Sequence, residues 1–152
     1  MQPIKDVLRG DILLTGVTGF VGVVTLAKLL RHAPHSRVFV LVRPGNKIGA
    51  RTRFETVCEQ NGILFMGLDI ARVHVVSGDM TACDKISAED VATLHNVTTA
   101  IHCAASTEWR SPLPELLKIN VHGAVALFTF CLTHLPKLRS YVHTSTSYSY
   151  VV

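Results

Sequence analysis

Residues 11–22, Asp-Ile-Leu-Leu-Thr-Gly-Val-Thr-Gly-Phe-Val-Gly, leave this chain few ways to fold. Ile12, Leu13 and Leu14 form a short apolar run with no alternation, as in a strand buried on both faces. Gly16, Gly19 and Gly22 then turn the chain into a segment with helical apolar spacing. A helix that starts directly after a parallel strand points free N–H groups and the positive end of its dipole outward, and so forms an anion site. The three glycines divide the work: Gly16 for the tight turn, Gly19 for close approach of a pyrophosphate, and Gly22 for packing of the helix on the sheet.

The segments that follow alternate in type. Phe20, Val23, Val24, Ala27 and Leu30 keep helical spacing up to Pro34, and Arg37–Val42 is a continuous β-branched and aliphatic run. Phe54, Val57 and Cys58 mark a second helix within residues 50–70. Further strands are predicted over Arg72–Ser77, Val97–Cys103 and Ser140–Thr144. Ser87 with Asp90 three residues on is a capping signal for a short helix reaching about Leu94. Ser111-Pro112 reads as cap and first-turn proline of a longer helix, with Leu113, Leu116, Leu117, Asn120, Ala124 and Leu127 on one face. Strands alternating with helices predict an α/β fold, a right-handed doubly wound parallel sheet of five strands in the Rossmann order 3-2-1-4-5.

Ligands of such sheets lie beyond the carboxyl ends of the strands, which picks out the residues there. Arg43 follows the second strand where an NAD-selective domain carries Asp or Glu; an arginine there suits the 2′-phosphate of NADP. Lys47, Arg51 and Arg53 follow with no acid between, and are read as a solvated basic loop. Asp79, after the third strand, either accepts from an adenine amine, with Met80 against the ring, or closes an Asx turn. Cys103, Ala104 and Ala105 end the fourth strand with small side chains beside which a flat cofactor can lie. The Cys103 thiol is read as a small buried side chain rather than an acyl-transfer nucleophile, since no partner base is evident. Asn120 must find partners if buried, for a structural or a site role.

Composition closes off other classes. A hydrophobic fraction of 48% in 152 residues supports one folded domain, taken as residues 1–152. A formal charge of +4 suits a phosphorylated ligand and is little evidence for nucleic acid. Cys58, Cys83, Cys103 and Cys131 contain no C-x-x-C pair, and the eight histidines lack metal spacing, so reduced thiols, no metal site and a cytoplasmic or cytosol-facing location are expected. No apolar run is read as reaching the ~20 residues of a membrane span. Arg9-Gly10-Asp11 and Asn96-Val97-Thr98 are read as accidental adhesion and glycosylation patterns.

Thr-Gly-x-x-Gly-x-x-Gly at Thr15–Gly22 resembles the short-chain dehydrogenase/reductase superfamily. With Leu41-Val42-Arg43-Pro44, Gly78-Asp79-Met80, Ile101–Ala105, Ile119–Gly123 and Val142–Thr146 in the same order, nearly the whole chain resembles the NAD(P)-binding region of fatty acyl-CoA reductases, relatives of thioester reductase domains. The resemblance implies NADPH as cofactor and a long-chain acyl-CoA as substrate, reduced at the thioester to an aldehyde and then to an alcohol. It puts Gly16, Thr18, Gly19, Phe20, Val21 and Gly22 at the pyrophosphate and maps the family's catalytic hydroxyl onto Thr146 or Ser145.

The family's Tyr-x-x-x-Lys has no match: Ser145 stands four residues after Tyr141, and Val152 four after Tyr148. The chain is therefore expected to be the N-terminal part of such a reductase, a Rossmann domain incomplete at its C-terminus, that binds the dinucleotide without turnover. Any membrane contact would come through sequence beyond it. A reductase of carrier-bound acyl groups and a non-catalytic NADP-binding module are the alternative readings.

Overall fold

A computed structural model of the chain describes residues 8–63 and 67–146. Five parallel strands form one sheet in the order β3-β2-β1-β4-β5: β1 (Asp11–Thr15), β2 (Val38–Val42), β3 (Val73–Ser77), β4 (Val97–His102) and β5 (Ser140–His143). Strand order and direction are those the sequence predicts. The central β1 pairs with β2 through Leu14 and Val40 and with β4 through Leu14 and Ile101, and every residue of β1 and β2 is buried.

The helices divide the core between the two faces. On one, Ile12, Leu14, Val38, Val40 and Val42 pack with Val23, Leu26, Leu29 and Leu30 of α1 (Phe20–His32) and with Phe54 and Cys58 of α2 (Ala50–Gln60). On the other, Leu13, Phe39, Leu41, Val76 and Ala100 meet Met80, Cys83 and Ile86, which lie in or beside a 3₁₀ segment (Met80–Lys85), and Leu94 beyond α3 (Ala88–Thr93). Leu127, Phe130 and Cys131 complete that core from the long helix before β5. Ser87 caps α3 by accepting from Asp90 N–H, as its spacing predicts. The carbonyls of Leu30, Ala33 and Ser36, at and just beyond the end of α1, accept from the Arg72 guanidinium at 2.6–2.9 Å, a long-range cap with no local signature.

The long helix departs from expectation in three ways. Its cap is Pro112, not Ser111; the Pro112 carbonyl accepts from Glu115 and Leu116. From α4 (Leu113–Leu117) it passes through a π-helical segment (Lys118–Gly123) into α5 (Ala124–His134). Each wider π turn takes up more residues and rotates the apolar stripe relative to a regular helix. The buried line is therefore Gly123, Leu127, Phe130 and Cys131, while Leu113 and Leu117 are exposed. The three elements also form a single helical run, Leu113–His134, long and apolar enough by composition to cross a membrane, where the sequence reading found no such run. Leu127 and Cys131, at most 1% exposed, hold it against the sheet as a crossover helix. In α1, likewise, Phe20 and Val24 point away from the core, and Leu26 and Leu29 take the buried positions.

Candidate functional site

The carboxyl ends of the strands enclose a cleft of about 460 Å³. Its floor is the turn after β1. Gly16 has φ +77°, and a Cβ there would lie 2.5 Å from the Ala104 amide nitrogen, so the first glycine both turns and lets β1 and β4 end side by side. A Cβ on Gly22 would fall 2.1 Å from the Gly16 carbonyl oxygen, which makes the third glycine a packing residue. Gly19 differs. Nothing in the protein comes nearer than 3.5 Å to a Cβ placed there, yet Gly19 lines the cleft. The protein itself has room for a side chain at Gly19. Gly19 also precedes α1, whose first turn has no side-chain cap, leaving its N–H groups for an anion.

Arg43 and Asp79 form one wall of the cleft, their charged ends 3.8 Å apart. Asp79 closes the Asx turn that its sequence position allowed. Oδ1 accepts from the backbone and hydroxyl of Thr81, closing the turn, while Oδ2 faces Arg43 and the cleft. Met80 reaches the cleft with most of its side chain in the core. Cys103, Ala104 and Ala105 line the opposite side. Cys103 is half-buried, with Sγ 3.3 Å from Thr144 Oγ1. Burial pushes the thiols of Cys58 and Cys83 up to about 11 and that of Cys131 to about 12, so these three stay protonated and unreactive.

Other predicted site residues stand back from the cleft. Thr18 lines it, but the side chains of Phe20 and Val21 are exposed outside it, so any contact from these two to a pyrophosphate is through their amides. Gly22 is sealed beneath the turn. Asn120 is exposed rather than buried: its Oδ1 accepts from Ser106 N–H at 2.8 Å and its Nδ2 donates to the Ser106 carbonyl at 2.9 Å, fixing the loop after β4. Ser145 and Thr146 follow β5, exposed and not among the lining residues. Tyr148 lies outside the described residues.

Sequence reasoning missed several groups at the site. Ser106, Thr107 and Glu108 extend the β4 side of the cleft. Arg53 reaches it from α2. Beneath the floor, Thr15 Oγ1 lies 2.7 Å from His102 Nδ1 and accepts from Ala104 N–H at 3.4 Å, joining the ends of β1 and β4. Burial, with His143 alongside, lowers the His102 pKa to about 4, so the ring is neutral. A buried histidine next to a strand end leaves no periodic trace in sequence.

A glycine turn over a helix start, a basic residue after β2 and small residues after β4, all in one cleft, are the parts of a dinucleotide site. The sequence profile described as male sterility protein, an NAD-binding domain, matches residues 14–152. The chain belongs to this family. Among its relatives, fatty acyl-CoA reductase 2 of Mus musculus is 35% identical over 148 residues, covering 91% of this chain and 28% of its own length. Fatty acyl-CoA reductase 1 of Xenopus laevis is 35% identical over 160 residues, covering 98% and 30%. The chain thus spans less than a third of these relatives. Its fold superposes on the terminal R domain of the myxalamid PKS-NRPS biosynthetic pathway with a TM-score of 0.74 at 25% identity, over 90% of this chain and 34% of that one.

Proposed function

We propose that the chain binds NADPH in this cleft and forms the cofactor-binding part of a reductase that takes a fatty acyl-CoA thioester to the alcohol through the aldehyde. The observation that carries the reading is Gly19: a position with room for a side chain inside the protein, kept bare where a pyrophosphate would meet the start of α1. The residues present fit the cofactor. The Gly19 N–H is spent on the Gly16 carbonyl at 2.9 Å, so the amides of Phe20 and Val21 would hold the pyrophosphate over the bare Gly19, Arg43 the 2′-phosphate, and Asp79 Oδ2 the adenine amine. Cys103, Ala104 and Ala105 leave a shallow wall for the nicotinamide, with Asn120 holding the adjoining loop.

When bound, the nicotinamide supplies the hydride that the carbonyl carbon accepts. This chain's residues would position that chemistry. Thr146, or Ser145 beside it, would donate a hydrogen bond to the developing oxyanion. The proton source of the wider family, a tyrosine in Tyr-x-x-x-Lys, has no counterpart in this sequence. NADPH should raise the melting temperature of the chain, while NADPH with a long-chain acyl-CoA should give no oxidation at 340 nm. An unchanged melt in a compact sample would overturn the binding reading; turnover would overturn the division of labour.

The likeness to an R domain favours a second substrate, an acyl group on a carrier protein. Titrating the NADPH-loaded chain with a non-hydrolysable acyl-CoA thioether and with an acyl carrier protein separates the two. A non-catalytic NADP-binding module would bind NADPH and neither acyl ligand.

A further inference from the structure

We propose that Arg53, ten residues beyond Arg43, is a second arm of the 2′-phosphate site and decides, with Arg43, for NADPH over NADH. The inference rests on the dinucleotide reading above. Among the basic residues after β2, Lys47 and Arg51 are exposed, and Arg51 is paired with Glu55 one helical turn on. Arg53 is half-buried and lines the cleft. It sits in the first turn of α2, where its backbone N–H bonds the Gly49 carbonyl. From there its Nη1 donates to the Arg43 backbone carbonyl at 2.9 Å. That bond ties the start of α2 to the end of β2, and both arginines line the same cleft.

The charges are unequal. Arg43 has Asp79 at 3.8 Å to offset it, and among the described residues no ion pair engages Arg53. A guanidinium has five N–H donors in a fixed plane, and one bond to a carbonyl leaves the others for a ligand. A ligand that suits two arginines and a carboxylate acceptor lining one cleft is an adenosine carrying a phosphate monoester on its ribose. The dianion would draw on both arginines, while the Asp79 carboxylate, facing the same space, disfavours anions that do not reach Arg53.

The experiment measures affinities of the wild-type chain, Arg53→Met and Arg53→Lys for NADPH and NADH, with adenosine 2′,5′-bisphosphate and 5′-ADP as probes. Arg53→Met is expected to weaken NADPH and the bisphosphate ten- to a hundredfold and to change NADH and 5′-ADP less than threefold. Arg53→Lys keeps the charge and loses the planar fork, so it should weaken NADPH severalfold and keep the preference. It also serves if Arg53→Met does not fold. Equal weakening toward both coenzymes would make Arg53 a strut of the fold and overturn the proposal. A wild type that binds NADH and NADPH equally would do the same while sparing the dinucleotide site. A wild type that binds neither would remove the site and the proposal together.

Discussion

At the scale of single residues, the glycine turn separates folding from binding. A methyl at Gly22 would collide with the Gly16 carbonyl, a backbone atom that cannot step aside without moving β1 from α1. Gly22→Ala should therefore cost about 1–3 kcal/mol or more in urea denaturation, the range of overpacked sites. Gly19 has φ −103° and free space, so Gly19→Ala should stay within about 1 kcal/mol of wild type, the reduced freedom of the unfolded chain offsetting any small contact cost. The same substitution should weaken NADPH binding at least tenfold. Stability and affinity measured on both variants check the separation, and a Gly19→Ala protein that binds normally would refute it. His102 supplies a pH dependence. Its pKa falls from the usual 6.5 to about 4 because burial and His143 both oppose the charged ring, with Thr15 and Tyr141 as its other neighbours. The unfolded chain thus takes up the proton first, so the contribution of His102 is whole above pH 6.5 and is lost as pH falls toward 4, on the order of 3 kcal/mol. Comparing denaturation at pH 7 and pH 4.5 in wild type and His102→Gln isolates it; the variant should lose less on acidification.

At the scale of elements, the π segment matters most. It turns Gly123 toward Thr81 and Met80 of the 3₁₀ segment and leaves Asn120 at the loop after β4, where both ends of its amide meet the Ser106 backbone. In Asn120→Ala the Ser106 amide loses its acceptor, worth about 0.5–1.5 kcal/mol, so its hydrogen exchange should quicken about three- to tenfold while amides of β1 keep their rates. Exchange mass spectrometry or NMR reads both at once. Unchanged exchange at Ser106 would mean the loop is held by other contacts.

For the molecule as a whole, the two cores are unequally covered. The face under α1 and α2 is closed over β1 and β2. Beyond β4 the long helix exposes Val121, Val125, Phe128 and Leu132, and β5 exposes Val142 at the sheet margin. An apolar stripe of this length is more than isolated surface residues account for. The chain by itself should self-associate at high concentration, and Val125→Lys with Leu132→Glu should shift it toward monomer in sedimentation velocity without lowering the unfolding free energy by more than about 1 kcal/mol, as for surface changes. Equal sedimentation of the two proteins would put the association elsewhere.

The alternation of strands and helices, the strand order, the turn at Gly16 and the positions of Arg43 and Asp79 were all legible along the chain. Each rests on local geometry: a period of side chains, a backbone only glycine adopts, or a place at a strand end. The placement of Arg53, the rotation of the long helix, the cap that Arg72 gives α1 and the Thr15–His102 bond were decided only by the packed structure. These depend on groups ten to eighty-seven residues apart or on one wide helical turn, and no local pattern encodes either.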